Sequence, residues 1–345
     1  MGKQSNGLTF IAEVSANHLG SLQRAKDIVV AAAKSGATAI KFQTYTADTM
    51  TLNLDSPHFK VSDGHELWGG RTLFSLYEEA STPWEWHPEL FELCRSLDVL
   101  PFSSPFDLSA VDFLESLDAP MYKIASLETG DLRLIRAVAE TGKPIIISTG
   151  ATEWQEIEEL VRVVKSTGNE DLTLLVCTSS YPSDPNDAHL SRIATLRDHF
   201  DVKVGLSDHT LGIGVSLAAI ALGASAIEKH ITLKRSDGGA DGAFSMEPDE
   251  FSMLVREGHN AYQAIGNPDW RMQDSENESR RLRRSLYVVS NVVAGEPVSN
   301  VNVRAIRPGG GCAPNLLDEM IGKRFKADVA IGTPMSPELL GEVEL

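Results

Sequence analysis

The sequence predicts an α/β protein: a (β/α)8 TIM barrel followed by a small C-terminal β domain. Three observations carry that prediction. Short apolar runs alternate with amphipathic stretches over most of the chain, the pattern of βα units on a parallel sheet. Counted in order, these runs make eight units in roughly 230 residues, which is the size of such a barrel. After Gly266 the composition shifts to a charged stretch and then to short β-type runs divided by Gly, Pro and Asn. A doubly wound sheet is the competing architecture, but it rarely needs eight regularly spaced units.

The strands are expected at LTFIAEV (8–14), TAIKFQT (38–44), LPFSS (100–104), MYKIAS (121–126), PIIIST (144–149), LTLLVCT (172–178), VKVGLS (202–207) and ASAIEKH (224–230). Helical periodicity falls between them, from Leu22 to Ser35, Trp84 to Leu97, Leu108 to Leu117, Leu132 to Thr141, Glu153 to Thr167 and Leu211 to Leu222. The insert between the second and third strands, from Asp48 to Pro83, is polar, bears glycine and is too long for a simple connection. It reads as a loop over the barrel mouth. Trp84 and Trp86 read as an aromatic cap that packs a helix onto the barrel. The barrel is expected over residues 1–266, a solvated helix and linker over 267–282, and the small domain over 283–345.

Composition narrows the function. The 345 residues are 42% apolar, enough for a sizeable core. No apolar run approaches the roughly 20 residues that cross a bilayer, and the start lacks a signal-peptide pattern, so a cytoplasmic location is expected and no membrane partner. Cys94, Cys177 and Cys312 are odd in number and form no CxxC pair, so reduced thiols are expected. A net charge of −17 opposes nucleic-acid binding, and an anionic substrate must therefore meet a local cluster of positive groups.

The barrel fold makes the strand ends neighbours, and they are polar throughout: Glu13 then Asn17 and His18, Lys41 and Gln43, Ser103 and Ser104, Lys123 with Ser126 and Glu128, Ser148 and Thr149, Thr178 to Tyr181, Ser207 to His209, and His230. Lys41 and Lys123 lie within apolar strands, where an ammonium is costly without an anionic partner. One reading is a structural ion pair with Glu13 or Glu128. The other is a phosphate cradle made with the hydroxyls of Ser104, Ser126, Ser148 and Ser207. A single strand-end serine is more often a helix N-cap, so the signal lies in their number beside the lysines. His209 and His230 end adjacent strands and can converge on one metal, with Asp241 and Glu13 nearby. Two nitrogens and no cysteine point away from a closed zinc site and toward an open site for a divalent ion such as manganese, with magnesium or cobalt as alternatives. His18 serves either as a third ligand or as a turn residue.

The motifs FIAEVSANHLGSLQRAK, AIKFQTYTADTMTL, PFSSPFD, YKIAS, PIIISTGAT, CTSSYPSDP, VGLSDHTLGI and IEKHITLKRSDGGADGAFSMEP, followed by RRSLYVV and AIRPGGG, together resemble the sialic acid synthase family, and within it the pseudaminic branch. The likeness spans nearly the whole chain. It implies a C-terminal β-clip domain of the antifreeze-like (SAF) kind and condensation of phosphoenolpyruvate with an N-acylated amino sugar, with release of phosphate. By the same resemblance His209 and His230 would be manganese ligands, and Lys41 and Lys123 with Ser104, Ser126, Ser148 and Ser207 would hold phosphoenolpyruvate. Glu13 would be the catalytic carboxylate, while Gln43, Glu128, Tyr181 and Asp241 would meet the sugar. Arg307 of AIRPGGG would be lent to the partner's site in a domain-swapped homodimer.

Two departures bear on the substrate. NHLG carries Leu19 where the family often has asparagine, and CTSSYP carries Ser179 where makers of sialic acid often have asparagine. The second favours a deoxy, diacylamino sugar over N-acetylmannosamine, with legionaminic and neuraminic precursors as alternatives. The SDGGAD loop is expected to fold over the sugar, its glycines allowing close backbone approach. A pyruvate-using metal-dependent aldolase would share the metal and a lysine but would not need the serine cradle. A non-catalytic glycan-binding protein, the other class, would bind sugar without metal or phosphoenolpyruvate.

Overall fold

The computed structural model describes residues 7–62 and 68–341. The chain divides into two compact units, Met1–Gly266 and Asn267–Leu345. In the first, eight parallel strands close into a barrel in sequence order. They are β1 (Thr9–Glu13), β2 (Ala39–Thr44), β3 (Leu100–Pro105), β4 (Tyr122–Ile124), β5 (Ile145–Ser148), β6 (Leu172–Cys177), β7 (Lys203–Ser207) and β8 (Ala226–His230). The register between β8 and β1 sets Glu13 opposite His230, which closes the ring.

Alternation of side chains along each strand divides the wall into two faces. Outward residues such as Phe10, Ile40, Ile124, Ile147, Val176 and Leu206 join the core beneath the surrounding helices. Each fully buried side chain of this kind contributes about 1.5–3 kcal/mol. Inward residues Ile11, Ala39, Phe102, Ile146, Leu175 and Ala226 form a separate apolar plug. The next inward residues along the strands are polar, so the barrel interior changes from oil to charge within one side-chain layer.

The helices begin where the sequence supplies caps. Ser21 accepts from the Arg24 N–H, Asp107 from Ala110 and Asp131 from Leu134, satisfying donors that a helix start leaves unpaired. The helical stretch expected from Leu211 begins only at Gly214, because the residues after β7 are held in a separate hydrogen-bonded turn. The stretch from Trp84 splits into a 3-10 turn (Trp84–Trp86) and a helix (His87–Ser96). Trp84 stacks on Phe113 at 4.8 Å, packing that segment against the neighbouring helix.

The long insert carries the helices Ala47–Met50 and Leu73–Ala80, and between them Lys60 pairs with Thr72 in an isolated antiparallel bridge. In the second unit, β9 (Ser285–Val288) pairs antiparallel with β10 (Val303–Ile306) around a core that includes Leu286, Val298, Met320 and Phe325. The preceding segment is exposed and carries a short helix, Asn277–Arg281.

Candidate active site

The polar layer is built by strand parity. Glu13, Lys41, Lys123, Ser148, Ser207, Glu228 and His230 all fall on inward positions. Lys41 Nζ lies 2.6 Å from Glu13 Oε2 and 3.4 Å from Glu228 Oε1. Lys123 Nζ is 3.8 Å from that same Glu228 oxygen, to which Ser207 Oγ donates at 3.1 Å. Glu13 Oε1 accepts from the Ser15 N–H at 2.7 Å.

Burial opposes the charge on Lys41, but Glu13 and Glu228 outweigh it and raise the ammonium above its ordinary range. Lys123 moves the other way: burial, helped by repulsion from Lys41, lowers it despite Glu228. Burial would push Glu228 up, yet Lys123, Lys41 and the two histidines bring it down to about 2.

Above this layer lies a cavity of about 380 Å³. Its floor includes Lys41, Lys123, Ser126, Ser148, Ser207 and Glu228, and its wall includes Gln43, Glu128, Tyr181, His209, His230 and Asp241. The hydroxyls of Ser104 and Ser148 are buried without a protein partner. A buried donor left unpaired is costly, so these hydroxyls mark places where an oxyanion can be met. Ser126 Oγ accepts from the Gly150 N–H at 3.1 Å. A Cβ at Gly150 would lie 2.3 Å from Ser179 Oγ and 2.9 Å from Ser126 Oγ, so only glycine keeps this hydroxyl-lined nook. Glu128 is pushed up to about 7 by burial, with Lys123 opposing.

The rings of His209 and His230 lie side by side with centroids 5.5 Å apart and planes tilted by 56°. His209 Nδ1 lies 3.0 Å from the Thr178 carbonyl, which only accepts, so Nδ1 carries a proton and, in the neutral ring, Nε2 keeps its lone pair. That is the tautomer a metal ligand needs. His230 Nδ1 is 3.3 Å from Asp241 Oδ2. Cys177 Sγ sits 4.0 Å from His209 Nδ1. Although burial opposes both charges, the pair lowers the thiol to about 7 and raises the imidazole. Among the described residues no cluster of three or more His, Cys, Asp or Glu side chains is gathered for a metal. Two imidazoles with a carboxylate beside one of them are a donor set of the open kind, which leaves further positions for water or substrate.

The insert supplies the opposite wall. Met50, Val61, Leu73, Leu76 and Ala80 line the cavity with Tyr45, Tyr77 and Phe106. Trp68 Nε1 donates to the Ala240 carbonyl at 3.0 Å, which ties the insert to the loop after β8. The mouth is thus polar on the strand side and apolar on the insert side.

A model of the family described as NeuB matches residues 28–269 of this chain. The chain belongs to the NeuB family. It is 42% identical over 322 residues to a pseudaminic acid synthase of Campylobacter jejuni subsp. jejuni serotype O:2, covering 93% of each chain. A pseudaminic acid synthase of Helicobacter pylori is 42% identical over 329 residues, covering 95% of this chain and 96% of that one. Among solved structures, the N-acetylneuraminic acid synthetase of Leptospira borgpetersenii serovar Hardjo-bovis, in complex with citrate, superposes with a TM-score of 0.71 at 32% identity, over 79% of this chain and 90% of that one.

For a NeuB member, the strand-end residues expected from sequence are largely gathered at one place. Lys41, Lys123, Ser126, Ser148, Ser207, Gln43, Glu128, Tyr181, Asp241, His209 and His230 line a single cavity. Glu13 is close by through Lys41 but is fully buried and outside the lining, as is Ser104. Arg307 lies in the second unit, exposed just after β10. His18 Nδ1 accepts from the Gly20 N–H at 3.1 Å, which is the turn role. Gly239, with φ +100°, does pass close to a neighbour, but that neighbour is Leu19: a Cβ there would lie 2.8 Å from Leu19 Cδ2. Gly239 of SDGGAD therefore seats the loop against the NHLG turn.

Sequence reading missed Glu228, Cys177 and Tyr45. Glu228 precedes His230 by two residues, so the alternation that aims His230 inward aims Glu228 inward as well. That signal was present in EKH.

Proposed function

We propose that this protein is a pseudaminic acid synthase: it condenses phosphoenolpyruvate with a diacetamido-trideoxy-altropyranose and water to give pseudaminic acid and phosphate. The observation that carries the reading is one cavity that joins two buried lysines and a ring of serine hydroxyls to two neighbouring histidines. The names of the Campylobacter and Helicobacter relatives support it. The apolar insert wall supports a sugar bearing methyl groups where a common sugar has hydroxyls, because a buried hydroxyl without a partner costs about 1–3 kcal/mol.

Lys41 and Lys123, with Ser126, Ser148 and Ser207, would hold the phosphate and carboxylate of phosphoenolpyruvate. Ser104 would support them from the layer behind. His209 and His230 would hold a divalent ion, manganese in the first instance, which when bound supplies Lewis-acid polarisation at the sugar carbonyl. Gln43, Glu128, Tyr181 and Asp241 would orient the open-chain sugar, so that the enol carbon of phosphoenolpyruvate meets the aldehyde carbon and a C–C bond forms. Water adds at the phosphate-bearing carbon, and the tetrahedral carbon then expels phosphate with C–O cleavage. Glu13, beside Lys41, is our candidate for taking the proton of that water. Glu128 titrates near neutrality and would exchange a proton with a sugar hydroxyl. We further propose that the second unit is an antifreeze-like domain whose Arg307 is lent to a partner copy in a swapped homodimer.

The test is phosphate release from phosphoenolpyruvate with manganese, offered the altrose sugar, N-acetylmannosamine and the legionaminic precursor in parallel. Release with the altrose sugar, lost in His209→Ala, supports the reading. Release only with another sugar corrects the substrate. No release with any of them rejects the synthase reading.

A further inference from the structure

Behind the two histidines, on the helix-facing side of the barrel wall, lies a buried ion pair that the proposed reaction does not use. Lys229 Nζ is 3.0 Å from Asp208 Oδ2, and both side chains are 1% exposed. Lys229 also donates to the carbonyls of Thr210 at 2.7 Å and Gly212 at 3.1 Å. Asp208 Oδ1 accepts from the Thr210 N–H at 2.9 Å and its hydroxyl at 2.7 Å, and Oδ2 accepts from Ser216 Oγ at 2.5 Å. The Asp208 N–H donates to the Glu228 carbonyl at 2.9 Å, extending the β7–β8 pairing by one bond.

Stability alone does not account for this pair. Replacing a buried ion pair by apolar side chains of similar volume is often neutral or favourable. Among the described residues, Lys229 is the one charged side chain on the helix-facing side of the eight strands, where the other strands present residues such as Ala12, Phe42, Ile124, Ile147, Val176 and Leu206. The exception falls where Asp208 precedes His209 and Lys229 precedes His230.

Neighbouring residues of a strand point to opposite faces, so anchoring Lys229 outward aims His230 inward. His209 lies beyond the end of β7, where no strand ladder holds it. Its neighbours on both sides, Asp208 and Thr210, are instead fastened into the knot made by Lys229. One ammonium on β8 therefore grips the turn that carries the other histidine.

We propose that Lys229 and Asp208 are a positioning pair that fixes the separation and orientation of His209 and His230 as metal ligands. The inference rests on the reading of those histidines as ligands. Groups that hydrogen-bond a metal ligand directly change metal affinity by about 10–100-fold when mutated, and this pair, which acts through the adjoining backbone, is expected at the lower end of that range.

The experiment measures Mn2+ binding to the metal-free full chain by electron paramagnetic resonance, beside the thermal midpoint. It compares wild type, Lys229→Met, Lys229→Arg, His209→Ala and a control, Leu160→Ala. Leu160 is fully buried in the helix Trp154–Ser166, away from the histidines, so its truncation loosens the fold without touching the knot. The expected result is a Mn2+ dissociation constant about tenfold or more higher in Lys229→Met, and unchanged in Leu160→Ala although its midpoint falls. Lys229→Arg keeps the charge with a different reach, so it serves where Lys229→Met does not fold, and it too should bind Mn2+ more weakly. Wild-type affinity in a folded Lys229 variant, or an equal loss in the Leu160→Ala control, overturns the proposal. Wild type that binds no Mn2+, or His209→Ala that binds it as tightly as wild type, overturns the ligand reading itself and the proposal with it.

Discussion

Glu228 and Glu128 sit in the same cavity and titrate at opposite ends of the carboxylate range, and the difference is their neighbours. Glu228 faces two ammonium groups and is drawn down to about 2, whereas Glu128 is left mainly to desolvation and rises to about 7. Glu228→Gln leaves Lys41 and Lys123 under-compensated, so unfolding in urea near neutral pH should show a loss of about 3–5 kcal/mol. An unchanged midpoint would mean that Glu228 does not hold the lysines. For Glu128 the folded value lies above that of an unfolded glutamate, so the stability tied to its proton is fully present below the unfolded value of 4.5 and is lost as pH rises from there through about 7. Glu128→Gln should therefore raise the thermal midpoint at about pH 8 and leave it nearly unchanged below about pH 4. Equal effects at both values would contradict the assigned shift. Most site residues were legible in the sequence as polar groups at a strand end or as a lysine within an apolar strand. Glu228 was not, because it lies within β8 and its direction depends on strand parity, and Cys177, although it closes β6, reads as an ordinary reduced thiol.

The strands were the most legible elements, since each is a short apolar run between polar turns and every expected run contains the observed strand apart from Pro105 at the end of β3. The insert was legible as a cover but not as structure. Its helix Leu73–Ala80 turns Leu73, Leu76, Tyr77 and Ala80 toward the cavity, a grouping that only becomes apolar once the helix forms. That wall has a consequence for selectivity. A hydrophobic surface rejects an added hydroxyl by at most about 100-fold. Val61→Thr, which adds a hydroxyl at nearly constant volume, should thus reduce the preference for the deoxy sugar over its hydroxylated counterpart, read as a ratio of kcat/KM values. A ratio unchanged in the variant would show that the insert wall does not contact the substituent.

At the scale of the whole molecule, the barrel core and its inner plug close entirely within the first unit, and the second unit has a core of its own. Residues 1–266 produced alone should therefore give one cooperative calorimetric transition, and a broad, non-cooperative melt would contradict that independence. The composition of the chain changes after Gly266, where the first unit ends. The reaction itself is tested by isotope transfer from phosphoenolpyruvate. Phosphoenolpyruvate labelled with heavy oxygen at the bridge between carbon and phosphorus is incubated with the protein, manganese and the altrose sugar, and the products are weighed by mass spectrometry. The account predicts a new nine-carbon acid and the label in the released phosphate. Label retained in the acid, or pyruvate with no new acid, would contradict it.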